Sequence, residues 1–338
     1  MSKNHLTVLV LSLLSCLGAQ AAESELNLYS ARHYQTDEKL YENFTRQTGI
    51  RINRIEGKED ELMERIRNEG ANSPADVFIT VDAARLANAD ALGLFAPVRS
   101  KLLESRIPAH LHTDTWFAFS TRARVIIYNR SAVKAEDVAS YESLADPKLK
   151  GKLCSRSGSH PYNLSLVASL IAHQGEAMTE TWAKGVVANF ARAPKGGDSD
   201  QIKSVALGEC GVAVSNTYYL ARLIRSDKID DRRMMERVGI VWPNQAGRGA
   251  HINISGAGMV KTARHPEAAV KFLEYLASDE AQRYFAEGNN EWPAVPGVTA
   301  NNPALAAMGQ FKADPLSIGS IASHVVAAQK LLDRAGYR

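Results

Sequence analysis

Tyr218 and Tyr219 stand side by side at the end of an apolar run, Gly211-Val212-Ala213-Val214-Ser215-Asn216-Thr217-Tyr218-Tyr219-Leu220. The run reads as a buried strand, and Ser215-Asn216-Thr217 as the loop at its C-terminal end, where ligands bind in open α/β sheets. Two phenols there offer two hard oxygen donors. A free phenol titrates near ~10, so it ligates weakly until a highly charged, oxygen-seeking cation stabilises the phenolate. Ferric iron is such a cation. Adjacent residues point to opposite faces of a strand, whereas a loop or helix start lets both turn toward one centre. The competing arrangement packs one tyrosine in the core and leaves the other at the surface.

Further donors recur at the same kind of position. His33-Tyr34 follow a strand-like segment at 26–30 and precede a helix at 38–48. Tyr162, in Arg156-Ser157-Gly158-Ser159-His160-Pro161-Tyr162-Asn163, lies between another strand and helix. Ser157, Gly158 and Ser159 could instead hold an anion at that helix N-terminus. His160 is a further possible ligand, although a histidine before proline also suits a structural role. Oxygen donors favour a hard trivalent ion, while softer metals favour thiolate or thioether. Several phenolates around Fe(III) leave a neutral or negative centre, which Arg122, Arg124 and Arg222 are placed to compensate. Arg222 follows Tyr219 by three residues, one helical turn. Tyr29, Tyr41, Tyr128 and Tyr275 fall on apolar faces and read as core, while Tyr141, Tyr284 and Tyr337 carry no companion signal.

The elements that position these residues alternate. Strands at 26–30, 50–55 and 76–81 are separated by helices at 38–48 and 59–68, a β-α-β-α-β order that gives a parallel sheet. A helix at 85–92 follows, then strands at 115–120 and 124–129. From 153 to about 243 the alternation resumes, with helices at 164–173, 176–188 and 199–207. A return strand at 255–260 precedes the helices Pro266–Leu276 and 280–287, and a final helix is expected over 318–335. Two α/β lobes joined by crossing strands describe a hinged binding protein that encloses its ligand.

Composition narrows the function. Residues 1–21 read as a secretory signal, with Lys3, an apolar 6–17 and the small-residue site Ala19-Gln20-Ala21. A lipoprotein signal with Cys16 as the lipidated residue is the rival reading, which Leu14 fits poorly. No later segment approaches the ~18 apolar residues of a membrane span. With 40 basic and 37 acidic residues and no basic block, nucleic acid is not implied. Cys154 and Cys210 remain after the signal, either bridged or as two buried thiols. There is no G-x-S-x-G elbow, Walker loop, H-E-x-x-H or Rossmann fingerprint, so no enzyme is indicated.

The chain resembles the periplasmic ferric-iron-binding proteins, of type II periplasmic-binding-protein fold, over nearly its whole mature length. The marks are Leu28-Tyr29-Ser30-Ala31-Arg32-His33-Tyr34, Gln47-Thr48-Gly49-Ile50, Ser73-Pro74-Ala75-Asp76-Val77, Arg122-Ala123-Arg124-Val125-Ile126-Ile127-Tyr128, Asn216-Thr217-Tyr218-Tyr219 and Ser255-Gly256-Ala257-Gly258. One branch of that family uses His, Glu, two Tyr and a phosphate. Val81 stands where that glutamate would be, so the chain resembles the tyrosine-rich branch instead. The resemblance implies Tyr34, Tyr162, Tyr218 and Tyr219 as ligands, His33 as a possible fifth, and Arg122 and Arg222 behind them. It implies first-lobe boundaries of 22–128 and 256–338, with 129–255 forming the second lobe. It further implies a periplasmic monomer that carries Fe(III) to an inner-membrane ABC permease and its ATPase. A small organic solute, such as a polyamine or organic anion, is the alternative cargo on the same fold.

Overall fold

The computed structural model describes residues 25–32, 34 and 36–338. The signal-peptide reading and the His33 donor therefore lie outside the described residues. Nine strands are found among the described residues: β1 Glu25–Ser30, β2 Arg51–Glu56, β3 Val77–Thr80, β4 Trp116–Asn129, β5 Leu153–Cys154, β6 Val212–Asn216, β7 Val238–Val241, β8 Ile252–Met259 and β9 Trp292–Pro293. They run in the order β2-β1-β3-β8-β4-β6-β5, with β7 and β9 also paired to β4.

The β-α-β-α-β start gives the expected parallel pairings of β1 with β2 and with β3. Between them, the helix Asp37–Thr48 buries Leu40, Tyr41 and Phe44. Gly49 ends this helix in the left-handed conformation (φ 72°), which costs little without a Cβ.

The two expected strands at 115–120 and 124–129 are one 14-residue strand, β4. The polar Thr121-Arg122-Ala123-Arg124 breaks the apolar pattern without breaking the strand, because both arginines are buried and paired. Along β4 the partner changes: Trp116–Ala123 lie against β8, and Arg124–Tyr128 lie against β6. One strand therefore serves both lobes. β8 crosses beside it so closely that a Cβ at Gly256 would meet the Phe117 carbonyl oxygen at 2.6 Å.

The helices expected at 164–173 and 176–188 are both present within Pro161–Ala188, separated by a non-helical Gly175 (φ 80°, ψ 164°). The single helix expected over 318–335 is instead two, Ile318–Ser323 and Val325–Ala335, joined at His324. Among the described residues no helix is long and apolar enough to cross a membrane. Tyr29, Tyr41 and Tyr275 are buried as expected, whereas Tyr128 is partly exposed. Tyr141 and Tyr337 also prove to be buried. The Tyr141 hydroxyl donates to the Arg124 carbonyl at 2.6 Å and accepts from the His251 N–H at 3.0 Å.

Cys154 and Cys210 are joined in a disulfide, with Cα atoms 5.8 Å apart. β5 and β6 bring them together as parallel neighbours, with Leu153 opposite Val212. The bridge closes a loop with a sequence separation of 56, for which the chain-entropy model gives about 4 kcal/mol. Cys154→Ser, Cys210→Ser and the double variant should each lose about 2–4 kcal/mol in urea titration. The double variant should be no worse than either single one, and additive losses would show that the bridge is not the source.

Candidate metal centre

The site grows from three strand-to-helix junctions. β1 delivers Tyr34. Tyr162 is the second residue of the helix Pro161–Ala188. β6 runs straight into the helix Thr217–Ile224, so Ser215-Asn216-Thr217 is not the expected loop. The reason is local: the Asn216 N–H is held by Asp198 Oδ2 at 2.7 Å, and the helix begins at the next residue. Tyr218 and Tyr219 thus occupy a first helical turn. Neighbours there diverge by only about 100°, so both phenols can face one cleft.

The four phenols come together. The Tyr218 hydroxyl donates to that of Tyr162 at 3.0 Å. The Tyr34 and Tyr218 rings meet edge to face at 6.0 Å, and the Tyr218 and Tyr219 rings lie 4.3 Å apart. Val81 packs with Tyr34 and Tyr218, so the position after β3 supplies an apolar wall. Among the described residues no cluster of three His, Cys, Asp or Glu could hold a metal. The assembled hard donors are therefore the phenol oxygens.

An acidic group does enter, from elsewhere in the chain. Glu291 is fully buried, and its Oε1 accepts from the Tyr34 hydroxyl at 3.1 Å. Arg122 bonds the same oxygen, Ser120 Oγ donates to Oε2 at 2.7 Å, and Arg32 approaches at 3.6 Å. Arg122 also donates to the Val81 carbonyl at 2.8 Å and lies 5.7 Å from the Tyr218 ring centre. Arg32 pairs with Asp37 and sits 4.7 Å from the Tyr34 ring centre.

A second charged cluster backs Tyr162. Arg124 donates to Asp198 at 2.7 Å, Asn163 at 2.9 Å and Asn216 at 3.2 Å. Arg156 reaches the other Asp198 oxygen at 3.0 Å and lies 5.1 Å from the Tyr162 ring centre. Arg222, expected behind Tyr219, is exposed and lies 5.6 Å from that ring centre. His160 caps the helix by accepting the Tyr162 N–H at 3.2 Å. Burial and the nearby Arg156 charge lower it to about 3, so it is a neutral cap. Ser157 and Ser159 bond each other at 2.9 Å.

Electrostatics oppose ionisation of the phenols on their own. Burial raises Tyr34, and the Glu291 charge raises it further, against Arg122 and Arg32. Burial, then the neighbouring phenols, push Tyr162 and Tyr218 well above the ordinary range. Burial acts against the Glu291 and Asp198 carboxylates too, yet Arg122 with Arg32, and Arg124 with Arg156, hold them below their usual range. Tyr34, Tyr162 and Tyr218 are thus phenols set against fixed charges, and an entering cation would offset the cost of their ionisation.

Arg32, Arg156, Asp198 and Glu291 escape a sequence reading. Glu291 is 171 residues from Ser120, within a Pro- and Asn-rich stretch that carries no local signal. Asp198 looks like an ordinary acidic residue in a first helical turn.

The two-lobed α/β fold, with four phenols gathered beside the strand that passes from β8 to β6, is that of a solute-binding protein. The chain belongs to the bacterial extracellular solute-binding protein family, which it matches over residues 39–316. It is 50% identical over 318 residues to iron uptake protein A1 of Synechocystis, covering 94% of this chain and 88% of that one. The major ferric iron-binding protein of Neisseria meningitidis is 29% identical over 325 residues, 95% of each chain. Among solved structures, a Trichodesmium protein in complex with iron and citrate superposes with a TM-score of 0.89 at 51% identity. It covers 93% of this chain and all (100%) of its own.

Asp198 is buried between two guanidiniums, so breaking the cluster should be costly. Asp198→Asn should lower stability by about 3 kcal/mol at pH 7. Its folded-state carboxyl lies below the ordinary value of 3.8, so the wild-type contribution is present above that pH and is lost as pH falls below it. Urea titrations of both proteins from pH 7 to pH 3 should narrow the gap toward the acid end. A gap that stays constant would separate the loss from this charge.

Proposed function

We propose that this protein captures Fe(III) between its lobes through the tyrosinate oxygens of Tyr34, Tyr162, Tyr218 and Tyr219 and delivers it, in the periplasm, to an inner-membrane ABC permease. The observation that carries this reading is the meeting of those four phenols in one place, backed by the buried Arg122 and Arg124. The names of the relatives, iron uptake and ferric iron binding, support the cargo. Fe(III) with four tyrosinates carries one negative charge. The Arg124–Arg156–Asp198 cluster carries one positive charge, while Arg122 with Glu291 and Arg32 with Asp37 cancel. The guanidiniums thus offset the negative charge of the loaded centre, as burial favours.

No bond in the cargo is made or broken. Closure brings Tyr34 from the first lobe onto Tyr162, Tyr218 and Tyr219 of the second, and each phenol surrenders its proton as it binds. Binding therefore weakens as pH falls, because protons compete for the same oxygens. Reduction to Fe(II), a softer and less charged ion, weakens the hold as well. His33, next to Tyr34 in sequence, is read as a possible fifth donor of lesser weight.

Ferric citrate loading should turn the protein orange to red through tyrosinate-to-iron charge transfer, with iron found by elemental analysis. Tyr218→Phe or Tyr219→Phe should bleach the band and weaken binding by about a hundredfold or more, the scale of losing about 3 kcal/mol of ligation. His33→Ala should do much less. A colourless, iron-free wild-type protein would sink the reading, and equal losses from His33→Ala and the tyrosine variants would re-rank the ligands.

A further inference from the structure

Asp82 follows β3, and its Oδ1 caps the helix Ala83–Ala91 by accepting the Ala84 N–H at 2.8 Å. Its carboxylate is buried without a guanidinium or ammonium in direct contact among the described residues. Neutral donors hold it instead. Asn253 Nδ2, on β8, donates at 2.7 Å, and Ser165 Oγ donates at 3.1 and 3.3 Å to the two oxygens. Asn253 Oδ1 in turn accepts the Ala83 N–H at 2.9 Å.

Ser165 belongs to the helix Pro161–Ala188, three residues after Tyr162, and so shares its face. A serine within a helix usually bonds a carbonyl of its own helix. Ser169 does so, donating to the Leu166 carbonyl at 2.7 Å. Ser165 instead reaches across the cleft to a residue at the end of a first-lobe strand.

We infer that the Ser165–Asp82 hydrogen bond is an interlobe latch that positions Tyr162 against first-lobe Tyr34 and thereby sets how long the bound ion is held. This inference rests on the function proposed above. The latch is made only when the lobes are closed. When they part, water solvates both groups, so losing the serine hydroxyl costs the closed form alone. Burial has already pushed the Asp82 carboxyl up to about 6, so the closed form can ill spare a donor. Ser165 touches no phenol oxygen in the interactions described, so its role is positioning.

The test compares wild type with Ser165→Ala, and with Asp82→Asn as a second variant that retains a capping side chain. Iron release to a competing chelator is followed at the charge-transfer band, and the radius of gyration of metal-free protein is measured by solution scattering. Ser165→Ala should release iron about ten- to a hundredfold faster, the scale of one hydrogen bond to a buried charge. The band position should be unchanged, because the ligands are intact, and the metal-free variant should be the more expanded. Asp82→Asn should shift both readouts in the same direction. Release rates and radii equal to wild type would overturn the latch, as would a shifted band, which would make Ser165 part of the ligand shell. If the wild type takes up no iron, the proposed function falls, and the scattering comparison alone decides the latch.

Discussion

Two buried arginines on one strand are the constraint around which this molecule is arranged. Arg122 and Arg124 are separated by one residue on β4, so their side chains share a face. They stand where the strand exchanges β8 for β6 as its partner. Neither guanidinium can be buried unless carboxylates and carbonyls come to meet it. Arg122 draws in Glu291 and the Val81 carbonyl, and Arg124 draws in Asp198, Asn163 and Asn216. Satisfying one strand's charges thus fixes β3, β6, two helix starts and the segment after the helix Asp279–Asn289 around a single point.

The phenols inherit their positions from those obligations. Asp198 fixes the backbone of Asn216, so Tyr218 begins a helix instead of trailing in a loop. Asn163, tied to Arg124, follows Tyr162 directly. Glu291, tied to Arg122, takes the Tyr34 hydroxyl. The same charges keep the metal-free cleft from becoming anionic. The phenols stay protonated because burial raises them, so selectivity follows from ionisation energy. With the proposed ligands, a monovalent or organic cation would gain too little from phenolate to drive their deprotonation, whereas a hard trivalent ion would gain more.

The phenols that meet in the structure were more legible in the sequence than the framework around them. Tyr34, Tyr162, Tyr218 and Tyr219 follow strand signals and precede helix signals, and the family resemblance singled them out from the other tyrosines. The parallel opening of the sheet was equally readable, since its strands and helices alternate with clear period. β4 was harder to read, because two arginines inside a strand look like a break until their partners are known. Those partners are remote: Glu291 lies 169 residues from Arg122, and Asp198 lies 74 from Arg124. Local pattern carries no information about a salt bridge closed across such distances. His160 takes the structural role that a histidine before proline suits, because its Nδ1 accepts the Tyr162 N–H and caps the helix.

A hinge must bend without dismantling what it carries, and here the division of contacts makes that possible. Arg124, Asp198, Arg156 and Tyr162 form a unit that can move as one body with β6 and its helix. Arg122, Glu291, Arg32 and Tyr34 form another, anchored to β3 and β8 through the Val81 carbonyl and Ser255. Opening need not break either charged cluster, since both guanidiniums keep their carboxylates. Between the units it breaks the ring edges of Tyr34 and Tyr218, the Arg122 guanidinium against the Tyr218 ring, and the Ser165 hydroxyl on Asp82. Such contacts are each worth about 1–3 kcal/mol, small beside the cost of stranding a buried charge. Each charged cluster thus holds its own side of the site together, and the contacts between the two clusters are the ones that opening has to undo.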